Sequence, residues 1–521
     1  MKPTIYLKYL LLLAVTVFLL FFGCSKKNSD SNGYEEVVWV AQTDPSALPY
    51  SYVPFDVPNN TRSFSLRVEY DKNNGKNKVD FGLFDPTFSG ADNDQKGFRG
   101  WSGSIRDSIF ISEDSATHGY APGKLPAGKW RVILGKAAVG SGLYVKIKIE
   151  FNKIDAEAKK QFDEENARKF SVEPLEKTEP QKTGEYTWYR GDLHTHSFHS
   201  DGYWSVKGIV DAAAARDLDF ITVTDHNTYS HQADLETQAV AHPELLVLNG
   251  EEITTYGAHI NAWGLKKGDW MDFRMKPNDP GSAKILTEAA KTKNAMVGIN
   301  HPFMECAGCT YTFGQWQPFQ VVEVWNAGWD PMDEKALQKW DEAILNYKKI
   351  TAIGASDTHE SPAQESKWGT NIPPGTPTVF IAAKEKTKES LFEGLVNGRV
   401  YVAKDASMRL GLTTVEGAML GDTVEKKAGD IIEFKYNFSG FSPQYLVRVV
   451  ANAQIAKEFV LDSSEFEGVY RIRVSDSGYV RLEVRDSANN MVAFTNPISW
   501  KMIKGDATSE SDGASVSNSN S

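Results

Sequence analysis

From Glu185 to about Lys404, short apolar β-type runs alternate with helical segments, and ligand-type side chains recur at one place, the C-terminal end of a run. The runs are "TWYRGDLH", "DFITVTDH", "ELLVLNGEEIT", "AHINAWGL", "AMVGINHP", "VVEVWN", "ITAIGASDTH" and "PTVFIAA". Between them lie segments such as "SVKGIVDAAAARDL", "SAKILTEAAKTKN", "DEKALQKWDEAILNY" and "TKESLFEGLVNG". Ser205, Ser282 and Thr387 stand where helix N-caps belong. This alternation predicts a parallel sheet, closed into a barrel or doubly wound. In barrels of that kind the strand C-termini converge on one mouth, where active sites are built.

His194 and His196 follow "YRGDL", Asp225 and His226 follow "FITVT", and Glu251 and Glu252 follow "LLVLNG". His259 opens "HINAWG", His301 ends "MVGIN", and Asp357 and His359 end "AIGAS". Side chains alternate along a strand, so His194 with His196, and Asp357 with His359, each share a face. A chain with only 10 histidines concentrates three of them, with Asp192 and Asp201, in "RGDLHTHSFHSDG". Any one such histidine has a plain reading as a hydrogen-bonded strand-end residue, but five separate runs ending this way predict a shared ligand. A His/Asp/Glu set without Cys suits Zn, Mn or Fe, and more than four ligands implies more than one ion.

At 521 residues the chain has room for two or three domains. Its 57 basic and 68 acidic residues leave a net charge of −11 and no basic run, which argues against a nucleic-acid polymer as partner. The first residues, "MKPTIYLKYLLLLAVTVFLLFFGCSKKNSDSNG", carry an apolar stretch too short for a comfortable membrane span and flanked like an export signal. Gly23-Cys24 at its end resembles a bacterial lipoprotein signal with Cys24 as the lipidated residue, although Phe21 replaces the usual Leu; an uncleaved anchor is the alternative. Both place the body of the protein outside the cytoplasm, tethered to a membrane. Cys306 and Cys309, spaced C-x-x-C, are read as a disulfide of an exported protein.

The expected organisation is a signal peptide over 1–23, a polar tether over 24–33, an N-terminal β-sandwich over 34–152, and a helix with a linker over 153–184. The α/β domain follows over 185–404, then a C-terminal β-sandwich over 405–503 and a disordered tail over 504–521. The flanking sandwiches have a packing or spacer role, or bind glycan or protein.

"DLHTHS", "DG", "TDHN", "GEE" with "GAHINAWG", "NHP" and "SDTH", in this order, resemble the PHP family of metallohydrolases (polymerase and histidinol phosphatase). "GAHINAWG", "VVEVWNAG" and "GRVYVA" are similar to its carbaryl-hydrolase-like (CehA/McbA) subgroup. The resemblance covers about Tyr189 to Lys404 and implies a distorted (β/α)7 barrel with two or three Mn, Zn or Fe ions. One ion would take His194, His196, Glu252 and Asp357; a second Glu252, His259 and His301; a third Asp201, His226 and His359. Glu252 is preferred to Glu251 because the family pattern is Gly-x-Glu and Gly250 fixes the register. Asp192 and Asp225 are placed as orienters of imidazoles. His118, His199, His231 and His242 match no family position and are read as surface residues.

The resemblance implies a phosphoesterase acting on a small phosphomonoester or phosphodiester, with Asp225 or His359 as proton donor. Phosphate sites recruit Arg or Lys, and Arg190, Lys367 and Arg399 are the candidates. The rival readings are hydrolysis of an amide, carbamate or carboxylic ester by the same metals, and a surface-displayed binding lipoprotein with an inactive barrel. Aromatic stretches "TYTFGQW" and "VWNAGW" would suit an apolar substrate, but barrel packing is the preferred reading.

Overall fold

A computed structural model of the chain describes residues 28–30, 32–41, 47–306, 308–346, 349–360 and 371–503. The signal and lipidation readings over 1–23 and at Cys24, the tail over 504–521, and Lys367 lie outside the described residues. Among the described residues no helix is long and apolar enough to cross a membrane.

The molecule is multidomain and rich in sheet. Its N-terminal part packs a five-stranded sheet, whose central strands are Gly33–Val40, Leu143–Phe151 and Ser63–Tyr70, against a four-stranded sheet of Tyr50–Val57, Gly128–Ala138, Lys78–Phe84 and Phe98–Gly103. Leu143–Phe151 buries every second residue, as a strand with one covered face must. Phe55, Phe64 and Trp130 meet between the layers, Phe64 and Trp130 edge to face at 5.3 Å. Helix α1 (Ala156–Asn166), N-capped by Asp155, lays Phe162 on Phe110 of this sandwich.

The central sheet runs through β1 (Tyr186–Asp192), β2 (Phe220–Val223), β3 (Leu246–Thr254), β4 (His259–Trp263), β5 (Met296–Ile299), β6 (Val321–Asn326), β7 (Thr351–Ala355), β8 (Thr378–Ala383) and β9 (Val400–Ala403). Their spatial order is β7-β6-β5-β4-β3-β2-β1-β8-β9. The far edge returns to the middle, because Thr195 just past β1 bridges Thr358 just past β7, with His196 N to Thr358 O at 3.1 Å and Asp357 N to His194 O at 2.9 Å. That bridge gathers the C-terminal ends of β1 and β7.

Regular (β/α)7 alternation is not what the structure shows. β3 and β4 form an antiparallel hairpin with no helix between them, and β4 and β5 are antiparallel. Among the described residues there are six α-helices: α1, α2 (Val206–Ala215), α3 (Gln232–Ala241), α4 (Pro280–Thr292), α5 (Pro331–Leu345) and α6 (Lys388–Asn397). Ser205 and Thr387 cap α2 and α6, whereas α4 is capped by Asp279 rather than Ser282. Pro280 supplies the preset φ of a first helical residue and starts the helix earlier.

The C-terminal sandwich is not a separate body. Its layer of Met491–Thr495, Gly478–Arg485, Leu446–Ala451 and Gln454–Val460 continues the central sheet, with Val402 paired to Phe494 across β9. Pairing gives the backbone groups of β9 partners that an open edge would lack. Asp341 of α5 accepts from Arg481 at 2.6 and 2.9 Å and from Tyr479 at 2.6 Å, fixing the junction.

Candidate metal centre

The hub is Glu252, fully buried near the end of β3. Its carboxylate lies 3.4 Å from His194 Nε2, 3.3 Å from His196 Nε2, 2.9 Å from His226 Nδ1, 3.2 Å from His259 Nδ1 and 3.3 Å from His301 Nε2. Asp357 Oδ1 reaches two of the three imidazoles that face Glu252 Oε2, His194 at 3.1 Å and His196 at 3.0 Å. Asp201 Oδ1 faces His226 Nε2 at 3.4 Å and His359 Nε2 at 3.2 Å. All nine side chains, His194, His196, Asp201, His226, Glu252, His259, His301, Asp357 and His359, belong to this connected set. Their grouping is more interwoven than the expected partition. His196 sits with Asp201, His226 and His359, and His301 with His194 and Asp357, as well as beside Glu252.

Local backbone produces the convergence. His194 and His196 continue β1 with period 2, and Gly202 lets the loop bearing Asp201 fold back, since a Cβ there would collide with the His196 carbonyl. His301 and Asp357 hold positive φ values of 22° and 47°, a conformation L residues rarely adopt and one that clusters at functional sites.

His194 Nε2, His196 Nε2, Glu252 Oε2 and Asp357 Oδ1 are buried, within 3.0–3.4 Å of one another across each His–carboxylate pair, and without a hydrogen-bond partner. Buried polar atoms cost free energy unless satisfied, and atoms aimed at one point are satisfied together by a cation. The charge balance agrees. Burial opposes ionisation of Glu252, yet His226, His194 and His259 hold its carboxyl well below the usual range. Burial opposes charging of His226 and His359, but Asp201 with Glu252, and Asp201 with Asp357, outweigh it and push them to about 9 and about 10. His259, where burial wins, falls to about 4. The donor set therefore fits a cluster of divalent cations.

Glu323 was not singled out in the sequence. It accepts from His194 Nδ1 at 3.2 Å, His301 N at 2.9 Å and Asn326 Nδ2 at 3.2 Å. A carboxylate inside the otherwise apolar "VVEVW" was the available signal. Asn300, which donates to Glu252 Oε1 at 2.7 Å, and Asn326, which donates to Asp357 Oδ2 at 3.1 Å, were also missed.

Several readings are corrected. Asp192 orients no imidazole: its oxygens accept from the backbone of His194, Ser356 and Gly375. Asp225 is fully buried and engaged by Ser197, Ser200 and His231, so it has no open path to a leaving group, and the imidazole beside it is His231 rather than one of the nine. His118, His199 and His231 are buried, not superficial: His118 and His199 meet at the seam between the domains, and His231 lies inside the central domain against Asp225 and Gly250. His242 is half-buried. Arg190 pairs with Asp217 and Asp219, Arg399 lies over Tyr186 with Glu393 and Asp422 within 4 Å, and neither lines the cavity beside the cluster. Glu251 turns away from Glu252 and accepts from Met271 N at 2.7 Å. Phe313, Trp316 and Trp325 pack into the core, and Cys306 and Cys309 are joined as a disulfide.

The centre opens into a cavity of about 210 Å³ whose walls include Asp201, His226, His259, Tyr256 and Cys306. No family model matches the chain, and no curated protein does. Among solved structures it is similar to a two-domain protein from Bacteroides vulgatus containing a predicted PHP-like metal-dependent phosphoesterase, at 19% identity and TM-score 0.38 over 63% of this chain and all of that one. A predicted metal-dependent phosphoesterase from Bifidobacterium adolescentis matches at 16% identity and TM-score 0.26 over 38% of this chain and 92% of that one. An amidohydrolase from Chromobacterium violaceum matches at 17% identity and TM-score 0.23 over 32% of this chain and 87% of that one. These are distant likenesses.

Proposed function

We propose that the protein is a metal-dependent hydrolase of the PHP type, and that it cleaves small phosphate esters. The observation that carries this reading is the convergence of four partnerless buried atoms, His194 Nε2, His196 Nε2, Glu252 Oε2 and Asp357 Oδ1, in a cluster whose members Asp201, His226 and His259 line a cavity. A barrel that held no metal would leave these desolvated polar groups uncompensated.

His194, His196, Asp201, His226, Glu252, His259, His301, Asp357 and His359 would hold two or three divalent ions of the Mn, Zn or Fe class. Bound, such ions supply a hydroxide at neutral pH and stabilise charge on the attacked and departing oxygens. Glu323 keeps His194 turned toward Glu252 and Asp357 through its Nδ1, and so fixes which nitrogen faces the centre. Asn300 and Asn326 hold the Glu252 and Asp357 carboxylates in one orientation. His359, at the Asp201 side of the set, is a proton donor to the leaving group only in a state in which it does not ligate an ion, because its Nδ1 is already bonded to the Asp357 carbonyl. Attack on a carboxylic ester, amide or carbamate is the second reading, favoured by Trp101 and Ile105 in the cavity wall.

In this proposal the segment 185–404 is a distorted seven-stranded barrel of the carbaryl-hydrolase-like subgroup. The chain is an exported lipoprotein anchored through Cys24 in a bacterial envelope, and the flanking sandwiches flank and support the barrel. The test is elemental analysis of the purified protein, followed by assays with Mn or Zn against p-nitrophenyl phosphate, bis-p-nitrophenyl phosphate, p-nitrophenyl acetate and 1-naphthyl carbamate. Metal-dependent turnover of a phosphate ester is expected. Turnover confined to the acetate or carbamate selects the second reading, and turnover that survives metal stripping removes both.

A further inference from the structure

We propose that the substrate is held between two domains, and that Lys78 of the N-terminal sandwich grips its anionic group. One wall of the cavity comes from the central domain. The other is Lys78, Asp80, Trp101, Ser102, Ser104 and Ile105 of the sandwich. The contact between the walls is built rather than incidental. Tyr256 Oη donates to Asp80 Oδ2 at 2.5 Å, Tyr50 stacks on Tyr256 at 5.4 Å, and the backbone at Gly135 is bare where a Cβ would collide with the Tyr256 hydroxyl. Tyr229 Oη donates to Phe98 O at 3.1 Å and Gly119 N to Ser230 Oγ at 3.1 Å, so the sandwich is fixed over the mouth at further points.

Among the described residues lining the cavity, Lys78 is the only Lys or Arg. It is exposed, and it lies two residues along the strand from Asp80, whose carboxyl burial pushes up to about 6. A lysine is a mobile point charge well matched to a phosphate oxygen that no metal neutralises. The space of about 210 Å³ falls below the several hundred Å³ of drug-sized sites. Walled by Ser102, Ser104 and Thr254 as well as Trp101 and Ile105, it is sized for a small phosphomonoester.

The choice of anion rests on the phosphoesterase reading; the two-domain pocket does not. The experiment uses the full, metal-loaded chain and its Lys78→Met and Lys78→Arg variants, with thermal melts confirming an unchanged fold at this exposed position. Calorimetric titration with inorganic phosphate should give a Kd about tenfold weaker for Lys78→Met, a loss of one charge-assisted contact, and near-native for Lys78→Arg. For p-nitrophenyl phosphate KM should rise about tenfold with kcat within about twofold, while p-nitrophenyl acetate is unaffected. Equal phosphate affinity in wild type and Lys78→Met, or no phosphate binding by the wild type, overturns the proposal. Lys78-dependent phosphate binding without phosphoester turnover would defeat the phosphoesterase reading alone.

Discussion

Glu252 is surrounded by five imidazoles, and Glu323 stands one step behind it, hydrogen-bonded among the described residues to His194, the His301 backbone and Asn326. Glu323 is thus a positioning residue whose loss leaves the nine candidate ligands in place. Glu323→Gln keeps the shape but weakens the acceptor for His194 Nδ1. It should lower metal affinity by about 10- to 100-fold, the usual effect of removing a partner behind a ligand. Equilibrium dialysis against Zn or Mn measures this directly; undiminished affinity would make Glu323 merely a core carboxylate. The cluster was legible at this scale because period 2 put His194 with His196 on one face, and structure brings both to Glu252 and Asp357. Glu323 was not, because a lone acid in a strand has no spacing partner: what it faces is set by β1 and the β5 loop, distant in sequence.

Among the elements, α1 carries the clearest response to pH. Its Glu165 accepts from His118 at 2.6 Å and Arg106 at 3.1 Å, and these two outweigh burial and hold its carboxyl at about 2. Burial lowers His118 from 6.5 to about 4, against the pull of Glu165. Between those values the unfolded chain takes up a proton that the folded one refuses, so stability is full above pH 6.5 and falls as pH drops toward 4. The loss is roughly 3 kcal/mol at most. Glu165 extends the decline below pH 4.5, as pH falls toward its own value. His118→Gln keeps a donor for Glu165 but cannot titrate. The gap in thermal stability between wild type and variant should therefore move against the wild type from pH 7 to pH 4.5, and a constant gap refutes the linkage. The α1 helix was readable from its charged sequence, but the seam it closes was not: lone histidines at 118 and 199 look like surface residues until the third dimension buries them. The β3–β4 hairpin had a readable sign, because the short connection from Thr254 to His259 cannot hold the dozen residues a parallel crossover needs. Continuation of the sheet from β9 into the C-terminal strands had none, since a strand's own sequence does not name its neighbour.

Across the whole molecule the N-terminal sandwich is tied to the same loop that delivers Asp201. Arg106, almost fully buried, donates to Ser200 O at 3.1 Å and Phe198 O at 2.6 Å while pairing with Glu165 of α1. One guanidinium thus joins three parts of the chain next to a candidate ligand, and the sandwich acts on the centre through backbone carbonyls rather than through a ligand of its own. Arg106→Met preserves bulk but strands the Glu165 carboxylate and both carbonyls. Removing one partner of a buried pair costs about 3–5 kcal/mol, so the melting temperature should fall. If the sandwich also sets the Asp201 loop, the ion held by Asp201, His226 and His359 should be lost first. Metal titration would then show one site weakened by about tenfold or more while the sites built on His194 and Glu252 keep their affinity. A drop in stability with every site equally affected, or none, would instead make Arg106 a strut between domains with no hold on the metal centre.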